Sequence, residues 1–330
     1  MVKGDRDITF DILKGIGILL MLCGHYWPNA EWAHRFIYSF HMPLFFLVAG
    51  YFSKPVAERG ASVAIKKNAK RLLLPFVVTQ LLLVAWGGLQ SVAKHDVSYV
   101  LKPSLSLLWG CCDVLDSRWG LVYVGPMWFL SALFWAKTVF EILVAKLRDW
   151  WLLLVCVAVS VLSIVLHLYT SSPWCILQGL SCLVFLSIGY LAKQKLFPIW
   201  AYWIALLCWP VAMVFSNMEV ADCTYRLYPL DVLGACGGTL FVWWLSSKVT
   251  KIGAISRVFA WFGANSLLVL CFHNFEWFSS ISYSVTAHVP FDVQGNWMIL
   301  LRFSLTLVLV LWALYMPFVR DAYGARTVKH

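Results

Sequence analysis

Charged residues are scarce in this 330-residue chain and make up only 13% of it. Soluble domains carry about 25% charged residues, so the deficit argues against a soluble enzyme. Hydrophobic residues reach 61%, and the net charge is +10. An excess of Lys and Arg is typical of the cytoplasmic loops of membrane proteins. This explains the positive net charge better than binding to nucleic acid does. The composition therefore predicts an all-α polytopic membrane protein.

Several features of other protein classes are missing as well. We find no soluble module, no repeat period, no low-complexity segment and no A-x-A-like cleavage site after the first apolar run. No CxxC pair or Cys/His spacing indicates zinc or another metal site. Six of the ten cysteines fall in apolar runs, as packing residues do. A disulfide among the other four is left open: Cys111, Cys112, Cys175 and Cys223. We expect residues 1–330 to form one integral membrane domain.

Ten apolar segments are candidate spans, since a spanning helix needs about 20 mostly apolar residues. With the N-terminus in the cytoplasm, 18 of the 26 Lys and Arg residues fall on the cytoplasmic side and 5 on the outer side. Positive residues concentrate in cytoplasmic loops, so this split predicts ten crossings with both termini inside. The segments are 8–27, 37–53, 72–92, 127–146, 150–168, 175–192, 199–215, 228–246, 259–278 and 297–318.

Two titratable residues lie within the first segment. A charged Lys at the centre of a bilayer costs about 3 kcal/mol even on low estimates, so Lys14 needs a reason to be there. In a helix, Lys14 and His25 lie on one face, about 16 Å apart along the axis. Asp11 falls near the same face and is expected either to pair with Lys14 or to share in the chemistry.

Two more histidines, His41 and His273, fall toward the outer half of the predicted bundle. His41 opens the second segment, and Asn265 and His273 lie in the ninth. Histidine suits proton transfer because its ordinary pKa is near neutrality, yet each of these rings could equally lie at the interface and bind water. Trp128 lies at the start of the fourth segment. Taken by itself, a Trp at this position is typical of an aromatic-belt anchor. Within spans, Lys137 can pair with Glu141, and Arg302 either snorkels or faces the cavity.

A basic cluster, Lys66-Lys67-Asn68-Ala69-Lys70-Arg71, precedes Pro75 in the longest inner loop. It could bind anionic lipid headgroups, or it could bind a phosphorylated ligand, since Lys and Arg are the usual phosphate binders. The outer piece 104–109 is too short to span and is expected to lie in the interface or to re-enter. From the residues alone, enzyme, transporter and channel all remain open.

The chain resembles the membrane-bound acyltransferase-3 family. Three motifs carry the resemblance: a basic residue ten positions before Gly-His (Lys14 to Gly24-His25), Phe-His-Met-Pro-x-Phe-Phe-x-x-Ala-Gly (40–50), and Pro-x-Trp-Phe-Leu (126–130). The Gly-x-Asn-Ser-Leu…His stretch at 263–273 is similar too. The first motif looks most like the branch related to fucose 4-O-acetylases. The spacing Lys67-x-x-Lys70-Arg71 departs from the family's common Arg-x-x-Arg.

The resemblance implies transfer of an acyl group, usually acetyl, from acyl-coenzyme A to a hydroxyl of a cell-surface or lipid-linked glycan. His25 would be the general base, Lys14 would meet the donor through its phosphates or the thioester oxygen, and Asp11 would belong to the same catalytic group. Lys67, Lys70 and Arg71 would bind the coenzyme A phosphates, with no resident cofactor. His41, Trp128, Asn265 and His273 would line the acceptor or transfer cavity.

The expected location is the bacterial cytoplasmic membrane, with membrane lipids as neighbours and no nucleic acid partner. Homo-oligomer formation is left open. The rival hypothesis is a proton-coupled transporter or flippase of glycans or small metabolites, in which the same His and Lys would relay protons. Against it, the sequence shows no pair of Gly/Pro-broken segments in corresponding halves.

Overall fold

The computed structural model describes residues 7–27, 31–56, 60–110, 124–286 and 296–324. Helices account for nearly all of this part of the chain, and the one β pairing within it is an isolated bridge between Glu219 and Thr224. The helices are α1 (Ile8–Tyr26), α2 (Glu31–Tyr38), α3 (His41–Tyr51), α4 (Ala61–Asn68), α5 (Leu74–Lys94), α6 (Ser98–Trp109), α7 (Trp128–Lys146), α8 (Asp149–His167), α9 (Ile176–Ser181), α10 (Leu183–Lys193), α11 (Ile199–Phe215), α12 (Tyr228–Val249), α13 (Gly253–Ala264), α14 (Ser266–Ser279), α15 (Ile281–Thr286), α16 (Asn296–Tyr315) and α17 (Pro317–Ala322).

The expectation of an all-α polytopic membrane protein is confirmed. Six helices of the described chain are long and apolar enough to cross a membrane, and the number rises to eight if each of two bent helix pairs is one span. Large apolar side chains on these helices point outward, as a lipid-facing surface requires. Because lipid offers no hydrogen bonds, backbone groups must be satisfied within the helices themselves. The orientation and the count of ten crossings stay predictions.

Four of the ten expected segments differ from a single long helix: 175–192 and 259–278 are the two bent pairs, and 37–53 and 199–215 are short. The segment 37–53 contains the end of α2 and the 11-residue α3, and 11 helical residues rise only about 16 Å, half of the roughly 30 Å hydrocarbon core. The segment 199–215 is an apolar helix of 17 residues. The piece 104–109 is the second half of α6, which packs against α5 where Gly87 meets the backbone of Tyr99.

Glycines let α1 and α13 approach each other closely. A Cβ on Gly15 would overlap the carbonyl oxygen of Phe259, and one on Gly263 would overlap the carbonyl oxygen of Asp11. Small residues are used in this way at helix contacts in membranes, where burial of apolar surface gives no drive for helices to associate. This contact fixes the end of α13, and with it the 69° bend into α14, beside the first turns of α1.

The cysteine expectations are settled in part. Cys111 and Cys112 lie outside the described residues. The thiol of Cys175 donates to the carbonyl oxygen of Gly110, 3.0 Å away, and the thiol of Cys223 lies 3.7 Å from the hydroxyl of Ser181. The two thiols therefore have different neighbours, and a disulfide between them is not formed.

Candidate active site

The stripe of Lys14 and His25 lies on one continuous helix. α1 runs unbroken from Ile8 to Tyr26, so the two side chains share a face at a separation of about 16 Å. Lys14 Nζ is 3.0 Å from Asp11 Oδ1, and the Asp11 side chain is only 9% exposed. The expected pairing of Asp11 with Lys14 is therefore present, and it offsets the cost of holding an ammonium group at this depth.

Histidine side chains gather at the other end of this stripe. The ring centres of His25 and His273 are 5.3 Å apart, and Trp277 packs edge-on against His25 at 5.2 Å. Tyr38 lies 6.3 Å from His25 and 4.8 Å from His41. The structure thus brings His25 and His273 into contact and connects His41 to them through Tyr38.

A buried network of charged and polar side chains contacts His273. Its Nδ1 is 2.9 Å from the hydroxyl of Tyr26, which is also 2.8 Å from the hydroxyl of Thr306. Glu276, fully buried, binds Arg302 through contacts of 3.1–3.3 Å. The Tyr26 hydroxyl lies 3.4 Å from Glu276 Oε2, and the Arg302 guanidinium stacks over the Tyr26 ring at 4.6 Å. Arg302 therefore faces the interior and does not snorkel.

The helix α14 connects the two ends of the stripe. Asn265 is buried at the bend that precedes α14, two residues after the glycine that touches Asp11. His273 follows eight residues later, about 12 Å along the axis, beside His25. Asn265 therefore lies near the Lys14 end and His273 at the His25 end, so α1 and α14 form two sides of one polar path.

Trp128 lies in the interior, which does not fit an aromatic-belt anchor. It is 4% exposed and opens α7, directly after the 3-10 turn Gly125–Met127. Gly125 has a positive φ, and a Cβ there would overlap the side chains of Asn274 and Phe278. The start of α7 is therefore packed against α14 at the level of the histidines.

The basic surface lies at the opposite end of α7. Lys67 is on α4, and Lys70 and Arg71 are on the π-helical turn Ala69–Leu73 that joins α4 to α5; all three are exposed. Asn68, buried among them, donates to Glu141 at 3.1 Å. Since Glu141 is 13 residues after Trp128, about 20 Å of helix α7 separates the basic surface from the histidine level.

The loop between α11 and α12 lies beside Tyr38. Its residues Met218, Val220 and Cys223 are buried, and Glu219 is close enough to Tyr38 to interact with it electrostatically. Burial raises the pKa of Glu219 to about 8, and partial burial lowers the pKa of His34. Both groups are therefore mainly uncharged at neutral pH.

A family model described as an acyltransferase domain matches residues 7–316. The chain belongs to this acyltransferase family. The match extends from α1, which carries the Lys14–His25 stripe, to the end of α16, which carries Arg302, so both ends of the candidate site fall inside it.

Two relatives of this acyltransferase-family chain are nodulation proteins. Over 141 residues it is 30% identical to the nodulation protein NolL of Mesorhizobium japonicum, which covers 39% of this chain and 34% of that protein. Over 139 residues it is 32% identical to NolL of Sinorhizobium fredii, with the same shares. The matches thus span about a third of the length of these curated relatives. No solved structure matches the chain.

The candidate site of this acyltransferase-family protein contains residues that the sequence did not single out. Tyr26 and Tyr38 join the expected histidines, as do Asn274 and Glu276, which stand beside His273 in the sequence without an assigned role. The spacing of His273 and Glu276 by three residues puts both on one helix face and could have signalled the pair. The approach of Tyr26 to them is a contact between residues 247 positions apart, which no local pattern reveals.

Proposed function

We propose that this protein is a membrane O-acyltransferase that moves an acyl group, acetyl in the simplest case, from cytoplasmic acyl-coenzyme A to a hydroxyl of a glycan. The observation that carries the proposal is the two-ended path: an exposed basic surface lies about 20 Å along α7 from the pair His25 and His273, of which His273 is fully buried. A long donor with phosphates at one end and a thioester at the other matches such a path.

At the outer end, His25 is the general base. Its ring lies against His273 and Trp277, in a setting that limits access of water to the thioester. Removing the proton from the acceptor hydroxyl as it attacks the carbonyl carbon raises the rate by typically 10²- to 10⁴-fold. The thiolate of coenzyme A leaves and takes up the proton from His25, so the base is regenerated.

At the inner end, Lys67, Lys70 and Arg71 bind the phosphates of the donor. Lys and Arg both form charge-assisted hydrogen bonds to phosphate, and their exposure leaves them accessible from the aqueous side. Lys14, held by Asp11, lies between the two ends and meets the donor inside the path. Trp128, Asn265, His41 and His273 line the path or the acceptor cavity.

The acceptor is a glycan of the cell envelope or a lipid-linked sugar, and the location is the bacterial cytoplasmic membrane. The relatives are named as nodulation proteins. A protein that acts on sugars at the cell surface is compatible with such a name.

Mass spectrometry of surface and lipid-linked glycans tests the function. Cells producing the wild-type protein are compared with cells producing His25→Ala at equal membrane abundance. We expect an acyl mass on one glycan in the wild type alone, which also identifies the acceptor. Identical glycans in both, together with substrate flux through proteoliposomes that contain no acyl donor, would instead favour a proton-coupled transporter.

A further inference from the structure

His273 has one ring nitrogen engaged and one without a partner. Nδ1 lies 2.9 Å from the Tyr26 hydroxyl, whereas Nε2 has no hydrogen-bond partner within the described part of the chain. The residue is fully buried, and leaving a buried polar atom unpaired costs free energy. An imidazole nitrogen kept in this state suggests a role in the chemistry of its neighbour, His25.

The surroundings of Tyr26 decide where the protons lie. Its oxygen is 3.4 Å from Glu276 Oε2 and 3.4 Å from the carbonyl oxygen of Arg302. A carboxylate and a carbonyl only accept hydrogen bonds, and the Glu276 carboxylate forms an ion pair with Arg302. The single proton of the Tyr26 hydroxyl is therefore drawn toward these acceptors or toward Thr306. His273 Nδ1 must then carry its own proton and donate it to Tyr26, which leaves a lone pair on Nε2.

The separation of the two imidazoles fits a hydrogen bond between them. Two imidazoles joined by an N–H···N bond of about 2.9 Å have ring centres roughly 5.2 Å apart. The ring centres of His25 and His273 are 5.3 Å apart, with planes tilted by 33°.

We propose that Tyr26 and Glu276 are positioning residues that fix the tautomer of His273, and that His273 in turn accepts a hydrogen bond from His25. The second nitrogen of His25 then faces the acceptor hydroxyl with its lone pair. This inference rests on the proposed function and adds to it the groups that orient the base. It follows the logic of a catalytic triad, in which a base is held by a third group, with an imidazole in place of the usual carboxylate.

The proton balance of the step is closed. The acceptor O–H proton moves to His25 as the oxygen bonds to the thioester carbon, the C–S bond breaks, and the thiolate takes the proton back. The transient positive charge on His25 is shared with His273 through their hydrogen bond, and the Glu276–Arg302 ion pair lies behind Tyr26. The titratable or charged groups around the pair are Tyr26, Glu276, Arg302, Tyr38, His34 and His41.

The test measures transfer of radiolabelled acetyl from acetyl-coenzyme A into the glycan fraction, using full-length protein in membrane vesicles across a range of pH. We expect Tyr26→Phe and Glu276→Gln to lower kcat at least tenfold and to shift the pH profile, with the KM for acetyl-coenzyme A within about twofold of wild type. His273→Gln, whose side-chain oxygen can still accept from His25, should retain more activity than His273→Ala.

Ser279→Ala is the matched control, because Ser279 is a buried hydroxyl one turn further along α14 and bonds only the backbone oxygen of Glu276 in the described structure. If Glu276→Gln fails to fold, the double variant Glu276→Gln/Arg302→Gln removes both charges and is measured in the same assay. A wild-type kcat and pH profile in Tyr26→Phe, with His25→Ala inactive, would overturn this inference and leave the proposed function intact. Full transfer by folded His25→Ala would overturn the proposed function instead.

Discussion

Removing one partner of the buried Lys137–Glu141 ion pair should destabilise the protein more than removing both partners. Lys137 Nζ lies 2.9 Å from Glu141 Oε1 and donates to the hydroxyl of Ser53 at 2.9 Å. Glu141 also accepts from Asn68, at the base of the basic surface. The perturbations are Lys137→Met, Glu141→Met and the double variant, which replace charged side chains by apolar ones of similar length.

The magnitudes follow from burial. Breaking a buried ion pair by removing one partner costs about 3–5 kcal/mol, whereas replacing both by apolar groups is often close to neutral. The Glu141 side chain is 0% exposed and that of Lys137 is 15% exposed. Lys137→Met, which leaves the fully buried carboxylate without its cation, should therefore be the more costly single change. Glu141→Met leaves an ammonium group that keeps Ser53 and some contact with solvent.

The assay is thermal unfolding of the purified protein in one detergent. For a chain of this size, 3–5 kcal/mol corresponds to a fall in Tm of roughly 5–10 °C. The double variant should unfold at a higher temperature than either single variant. If the losses of the two single variants simply add in the double variant, the pair is not coupled and the reasoning fails.

Three further outcomes are expected. Gly15→Ala should lower Tm by several degrees or prevent assembly, because overpacking costs about 1–3 kcal/mol and its Cβ would overlap the backbone of α13. Wild-type Tm should fall as pH rises from about 5 to about 8 and then level off, and Glu219→Gln should remove that fall. The folded pKa of Glu219 is raised to about 8, above an unfolded value of about 4.3, so its contribution is complete at low pH and is lost through pH 8. Lys70→Ala/Arg71→Ala should raise the KM for acetyl-coenzyme A about tenfold, equivalent to about 1.4 kcal/mol, with kcat unchanged within about twofold.

Matched variants control for each of these three. Gly88→Ala, where a Cβ meets open space, should leave Tm unchanged. For the pH series, a Tm that falls equally in Glu219→Gln would show that another group is responsible. Lys251→Ala removes an exposed cation elsewhere on the chain and should leave the KM for the donor unchanged. An equal rise in that KM for Lys251→Ala would point to net charge rather than to a specific phosphate site.

The sequence predicts the features that depend on local periodicity. The helical class follows from composition, and the shared face of Lys14 and His25 follows from their spacing on a continuous helix. Pairing of Asp11 with Lys14, and of Lys137 with Glu141, is a matter of helix geometry at three and four residues. These predictions hold because a helix fixes its own neighbours regardless of the rest of the fold.

Features that depend on packing between distant helices were not predicted. The segment 37–53 has the composition of a span, yet it is divided at Ser39–Phe40 and its helix α3 has only 11 residues. The hydrogen bond between Tyr26 and His273, and the contact of Asn68 with Glu141, join residues 247 and 73 positions apart. Trp128 has the residue type and the position, at the start of a span, that are typical of a surface anchor. Only the packing of α7 against α14 shows that it is buried.

The most direct test of His25 as the general base is acetyl transfer by purified His25→Gln. The variant is compared with wild type and with His95→Asn, a substitution at an exposed histidine after α5. Thermal unfolding first shows that all three proteins are folded to the same extent. Labelled acetyl-coenzyme A is the donor, and the extracted glycan of the producing cells is the acceptor. We expect His95→Asn to match wild type and His25→Gln to lose about 10²-fold or more in rate. Transfer by folded His25→Gln at the wild-type rate would contradict the role of His25 as the general base.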